Sequence, residues 1–210
     1  MVYYNKQKCK QFYNKISNKI GGYDFSDVKV KNEGVLWYFY KEVKKLSNKD
    51  SLVLDIGTGG GERVLKLANY VRFLVGIDIS ENMIKTAIKN AEIKGINNVF
   101  FYVMDSDDIK FPDGFFDIIS CRLSYFNCRE VARLSSKNGI FITQQAGEDD
   151  KINIKKFFGR GLNSQIRDGR HKNLLVKELK ETGFSQVKTL EYNAIEYYKT
   201  AFTKGDKNGF

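Results

Sequence analysis

The apolar run SLVLDI, residues 51–56, stops at the string GTGGG and opens onto Glu62. No other feature limits the fold so tightly. A short apolar run bounded by turn residues reads as a strand buried on both faces. Gly57, Gly59 and Gly61 alternate straight after it, and a helical pattern follows over 62–70. One or two glycines would make a strand-to-helix turn. Three let the backbone turn sharply and let a ligand lie against it. A buried strand needs neighbours, and the chain supplies candidates at 73–79, 99–104, 115–121 and 140–144, with a sixth at 186–192. Helical patterns lie between them: 80–93 with Ser80 as its cap, 128–135, and 174–182 closed by Gly183. Strand and helix in this alternation mean an α/β fold, a doubly wound, mostly parallel sheet with helices on both faces.

The first fifty residues differ. Cys9, Phe12, Tyr13, Ile16 and Ile20 recur at steps of three and four, one apolar helical stripe, with Lys6, Lys8, Lys10, Lys15 and Lys19 opposite. Gly21-Gly22 ends that helix. Val35, Leu36, Phe39, Val43 and Leu46 predict a second helix over 33–46. We read residues 1–48 as a helical cap and 49–210 as the sheet domain, which suits a length of 210 residues. The 16 Phe and 12 Tyr exclude disorder throughout. No apolar run approaches the ~20 residues of a membrane span, and MVYYNKQKCK lacks an apolar signal core. Three cysteines, Cys9, Cys121 and Cys128, are odd in number and lack metal-type spacing. They predict a cytoplasmic chain with free thiols and no metal.

The net charge is +10, but Lys supplies 27 of the basic residues and Arg only 8. Nucleic-acid readers lean on Arg for bidentate contacts. A small molecule therefore ranks ahead of nucleic acid as the partner, and we expect a monomer or weak homodimer.

Ligands of open α/β sheets bind beyond the carboxyl ends of the strands. Three such ends carry Asp55, Asp78 and Asp105, the second 23 residues after the first and the third 27 after the second. A carboxylate at Asp78 can accept from both hydroxyls of a ribose, and Asp105 with Ser106 can read an adenine amino edge. Taken singly, each has a bland reading as a helix cap or a turn carboxylate. The string Gly57-Thr58-Gly59-Gly60-Gly61 departs from the G-x-G-x-x-G spacing of dinucleotide sites. Asp55 and Glu62 on either side suit a cationic ligand better than a pyrophosphate. His171, the single histidine, sits in RDGRHKN and reads as a surface loop. Cys121 ends an apolar strand and reads as a small buried thiol.

Together these motifs resemble the class I S-adenosylmethionine-dependent methyltransferases, and within them the small bacterial group related to the ubiquinone-biosynthesis enzymes. VLDIGTGGGE resembles the family's first motif, Asp78 in GIDIS its second acid, and Met104-Asp105-Ser106 its adenine motif. FPDGFFDIISCRLS and NGIFITQQ resemble its fourth-strand and fifth-strand segments. The resemblance implies a Rossmann-like fold with S-adenosylmethionine as cofactor. It places Asp55 and Gly57 at the amino-acid end, Asp78 at the ribose and Asp105 with Ser106 at the adenine. Thr58, Gly59, Gly61, Ile79, Met83 and Cys121 complete the implied cofactor set, and Tyr13 closes over it from the N-terminal helix. Arg122, Tyr125, Asn127 and Gln144, with Gln145, stand where acceptor contacts lie in that family.

The implied reaction is an in-line methyl displacement onto an oxygen, nitrogen or carbon atom of a small molecule. No general base stands out. SCRLSYF occupies the place of the Asn/Asp-Pro-Pro-aromatic motif, which disfavours amino groups of DNA bases. Two alternatives stay open, a nicotinamide-dependent oxidoreductase on a similar sheet and an RNA-binding or RNA-methylating protein. Family members close the sheet with a seventh, antiparallel strand. Residues 194–210 resemble no such strand, so we expect it missing or incomplete and the chain shorter than a full member.

Overall fold

The computed structural model describes residues 6–20, 30–159 and 170–198. Its centre is five parallel strands, β2 (Leu52–Ile56), β3 (Phe73–Asp78), β4 (Val99–Val103), β5 (Phe116–Arg122) and β6 (Ser135–Gln144). Their order is β4-β3-β2-β5-β6, so the chain reverses its direction of winding between β2 and β5. That reversal leaves a crevice above the carboxyl ends of those two strands.

Alternation along β2 sets the two layers. Val53 joins a core with Phe39 and Val43 of α2 (Phe39–Leu46), the 3-10 segment Val64–Tyr70, and Ile84, Ala87 and Ala91 of α3 (Glu81–Ile93). Leu54 and Ile56 face the other way, onto Val131 and Leu134 of α4 (Cys128–Leu134) and Leu179 of α6 (Arg170–Glu181). Both sides are dry, which is why these strands are apolar throughout. Ser80 caps α3 as expected, its Oγ accepting from Met83 N–H at 3.2 Å.

Several expectations are corrected. The helix over 33–46 is two elements: β1 (Val30–Glu33), then α2 from Phe39. Gly34, at φ +77°, turns the chain between them, and Leu36 stays exposed. The span 186–192 is not a strand: it has no regular structure, and the sheet offers it no partner among the described residues. Instead β7 (Ile195–Tyr198) pairs antiparallel with β1 in a separate two-stranded ribbon. Among the described residues no strand pairs with the outer edge of β6, so the expected closing strand is not formed there. Residues 199–210 and Gly21-Gly22 fall outside the described residues. β6 starts five residues earlier than expected, with an irregularity between its pairing to Phe116 and to Ile118. His171 lies in the first turn of α6, not in a loop, its N–H donating to Glu148. A helix not anticipated, α5, spans Ile152–Phe158.

The N-terminal helix α1 (Lys6–Ile20) also departs from its stripe. Phe12 is 56% exposed, while Ser17 is buried. The reason is its neighbour: α1 docks on the polar start of α3. Asn14 Oδ1 accepts from Ser80 Oγ at 2.6 Å, and Ser17 Oγ meets Thr86 Oγ1 at 3.2 Å. No helix of the described residues is long and apolar enough to cross a membrane.

Candidate active site

The glycine turn after β2 hangs on β3. Gly57 and Thr58 N–H both donate to the Ile77 carbonyl, at 2.9 and 3.0 Å. Gly57, at φ +74°, tucks so close to the loop after β5 that a Cβ there would lie 2.3 Å from Ser124. Across the turn, Gly59 N–H donates to Asp78 Oδ2 at 3.0 Å, and Ser80 N–H to Asp78 Oδ1 at 2.9 Å. Burial outweighs these bonds and raises the Asp78 proton affinity. These groups wall an open cleft of roughly 950 Å³, mouth included.

Of the expected cofactor residues, Gly57, Thr58, Gly59, Asp78, Ile79 and Met83 line this cleft, as do Asp105, Ser106 and Tyr13 of α1. Arg122 and Tyr125 line it from the β5 side. The remainder stand behind the wall. Gly61 is a packing glycine, since a Cβ there would lie 2.9 Å from Phe101. Asn127 caps α4 and donates to Asp107 at 2.9 Å. Gln144 accepts from Arg122 Nε at 3.3 Å and donates to Tyr192 at 3.1 Å. Gln145 donates to the Ser124 carbonyl.

Asp55 is wholly buried and does not reach the cleft itself. Burial lifts its carboxyl to about 6, while Ser120 Oγ at 2.5 Å and Tyr40 OH at 3.3 Å pull the other way. Tyr40 does line the cleft, so it connects the hidden acid to the ligand space. Cys121 is fully buried, and burial followed by the Asp55 charge holds its thiol protonated. It is no nucleophile.

Glu62 and Met104, noted in the glycine and adenine motifs, also line the cleft, and Tyr40, Arg63, Leu123 and Ser124 line it but were missed as site residues. Tyr40 had a signal, a hydroxyl-bearing ring beside the apolar stripe of α2. Leu123 had none; it takes φ +53° at the end of β5, fixed by its N–H bond to the Gln144 carbonyl at 2.8 Å.

A methyltransferase domain family matches residues 47–197. The chain belongs to this family. It is 38% identical over 128 residues to the uncharacterized methyltransferase YcgJ of Bacillus subtilis, covering 57% of this chain and 49% of that protein. The ubiquinone/menaquinone biosynthesis C-methyltransferase UbiE of Rickettsia massiliae is 28% identical over 130 residues, covering 55% and 52%. The chain thus spans about half the length of these curated relatives. A crystal structure of a SAM-dependent methyltransferase from Aquifex aeolicus superposes with a TM-score of 0.60 at 17% identity, covering 93% of this chain and 97% of that one. At that identity the likeness is one of fold.

Proposed function

We propose that the cleft binds S-adenosylmethionine and that the chain directs its methyl group onto an oxygen, nitrogen or carbon atom of a small molecule. One observation carries the reading: Asp78 faces the glycine turn at the reversal of the sheet, with both carboxylate oxygens anchored by backbone N–H groups. A carboxylate fixed in this way keeps lone pairs for two vicinal hydroxyls. The rest of the wall suits the same ligand. Asp105 and Ser106 offer an acceptor and a hydroxyl to an adenine edge, and Ile79, Met83 and Met104 offer apolar flanks. Glu62 suits a cationic group, and Thr58 sets its hydroxyl beside the buried Asp55 carboxylate at the wall of the cleft.

On this reading Gly57, Thr58 and Gly59 hold the methionine end, Asp78 the ribose and Asp105 the adenine. Asp55 acts from behind through Tyr40, while Gly61 and Cys121 shape the packing. Tyr13 closes the cleft from α1. Arg122 and Tyr125 are the acceptor contacts, with Gln144 and Asn127 steadying them. Residues 1–48 were expected to form one helical cap; on this reading α1 alone is the cap, and α2 goes with the sheet it packs on. We further infer a cytoplasmic monomer or weak homodimer that works away from membranes, with a small molecule ranked ahead of nucleic acid as its partner.

When bound, S-adenosylmethionine supplies a methyl group already activated on a positively charged sulfur. The protein's part is alignment and exclusion of water, worth roughly 7–11 kcal/mol when the geometry is good. Tyr125 is pushed up to about 12, by burial and then by Asp107, and Tyr40 is raised by burial and then by Asp55. Both keep their protons at neutral pH and serve as donors. Titration with S-adenosylhomocysteine tests the reading: it should bind and raise the melting temperature. Tighter binding of NAD than of S-adenosylhomocysteine would favour the oxidoreductase instead. Turnover of isotope-labelled cofactor in metabolite extracts identifies the acceptor.

A further inference from the structure

Among the described side chains of α1, Ser17 alone is buried. The helix is fastened to the body by polar contacts: Asn14 and Asn18 to Ser80 and Asn82, Ser17 to Thr86, and Lys10 to Glu81 at 2.8 Å. The apolar residues Cys9, Tyr13 and Ile16 are only half-buried, so the hydrophobic effect holds the helix weakly and its polar and charged contacts matter to how firmly it sits. The centre of that attachment is Lys6. Its Nζ reaches Asp105 Oδ1 at 2.9 Å and Oδ2 at 2.8 Å, and also pairs with Asp107. Asp107 in turn accepts from Tyr125 OH at 3.1 Å and Asn127 Nδ2 at 2.9 Å. One ammonium therefore joins three separate segments at the rim of the cleft: α1, the turn after β4 and the loop after β5.

We propose that Lys6 is a positioning residue of the cleft, an ionic latch that holds α1 over the adenine end and, through Asp107, draws the loop after β5 against it. The inference rests on the reading that the cleft takes S-adenosylmethionine. Lys6 and a ligand need not exclude each other. Asp105 Oδ1 is shared by Lys6 and Asp107 N–H at 2.9 Å, whereas Oδ2 takes Lys6 alone among these bonds and keeps a lone pair for an amino group. The three side chains are about one-third exposed, so salt reaches the latch. With the latch open, a ligand both enters and leaves faster.

The test is stopped-flow binding and release of S-adenosylhomocysteine at low and high salt. Wild type is compared with Lys6→Ala, Lys6→Arg and Asp107→Asn, the last being a residue that does not line the cleft. Lys6→Ala and Asp107→Asn should each speed release about three- to tenfold, the size of one or two partly exposed ion pairs. Their effects should not add in the double variant. Salt should speed release from wild type but not from Lys6→Ala, and Lys6→Arg should restore slow release. Lys45→Ala, which loses the same charge from a pair with Glu42 within α2, should behave as wild type. Unchanged release from Lys6→Ala with normal binding overturns the latch and leaves the cofactor reading standing. Slower release would make Lys6 a competitor for Asp105 and also overturns it. Failure of every protein, wild type included, to bind overturns the cofactor reading and the latch together.

Discussion

Asp55 sits with its carboxyl lifted to about 6 by burial, against an ordinary value of 3.8. An acid whose folded value is raised binds its proton more tightly in the folded chain. Its contribution to stability is therefore complete below about pH 4 and is lost as pH rises through about 6. Asp55→Asn keeps the shape and removes the charge. It should be the more stable protein at pH 8, by up to about 3 kcal/mol for a shift of this size. The advantage should close on acidification toward pH 4. Thermal melts of both proteins across that range check this, and a gap that widens in acid would mean that the folded state holds Asp55 ionised. Asp107, Glu81 and Glu130, whose proton affinities are lowered by Lys and Arg partners, act in the opposite sense but cancel in the comparison. Asp78 plays a different part. Asp78→Ala should weaken S-adenosylhomocysteine binding by orders of magnitude, at about 1.5–3 kcal/mol for each charged hydrogen bond. Circular dichroism should show the fold intact, and unchanged affinity by calorimetry would place the ribose elsewhere. Asp55, Asp78 and Asp105 were legible in the sequence because each closes an apolar run. Lys6 was not: its partner lies 99 residues away, and nothing in a lysine's local surroundings reports that.

At the scale of elements, the turn after β2 has the least room to change. Gly57→Ala meets two obstacles, a left-handed backbone angle and a Cβ position 2.3 Å from Ser124. Left-handed strain in a non-glycine residue costs on the order of 1–3 kcal/mol, before any clash. The variant should melt lower and bind S-adenosylhomocysteine poorly. Ser124→Gly in the same chain should recover part of the loss, since it relieves the contact and not the angle. A variant that melts and binds as wild type would show the turn to be far more pliable than its hydrogen bonds suggest. The buried strands β2, β3 and β5 were legible because a strand covered on both faces must be apolar along its length. β1 and β7 were not. VKNE and IEYY are short and largely exposed, and their pairing joins residues far apart in the chain, which no local pattern encodes. The span 186–192 misled for the converse reason: its composition suits a strand, but a strand exists only where a neighbour offers hydrogen bonds.

For the whole molecule, the charge of +10 invites the idea of a nucleic-acid partner. The lysines near the cleft argue against it, because Lys6 and Lys10 are engaged with Asp105, Asp107 and Glu81. Fluorescence anisotropy with a mixed-sequence RNA should show only weak binding that falls with salt, in the range of about 10⁻⁴–10⁻⁶ M typical of non-specific attraction. Tight binding with a steep salt slope would reverse the assignment of the partner. The ribbon of β1 and β7 has a consequence of another kind. Val30 pairs with Tyr198 at one end and Glu33 with Ile195 at the other, so the ribbon is four rungs long. Tension drawing Val30 and Tyr198 apart would break that pair first and peel the ribbon one rung at a time. The central sheet would feel no load until the last rung had gone. Under a load carried across its two strands, the ribbon is thus a mechanical fuse that yields while the central sheet stays paired.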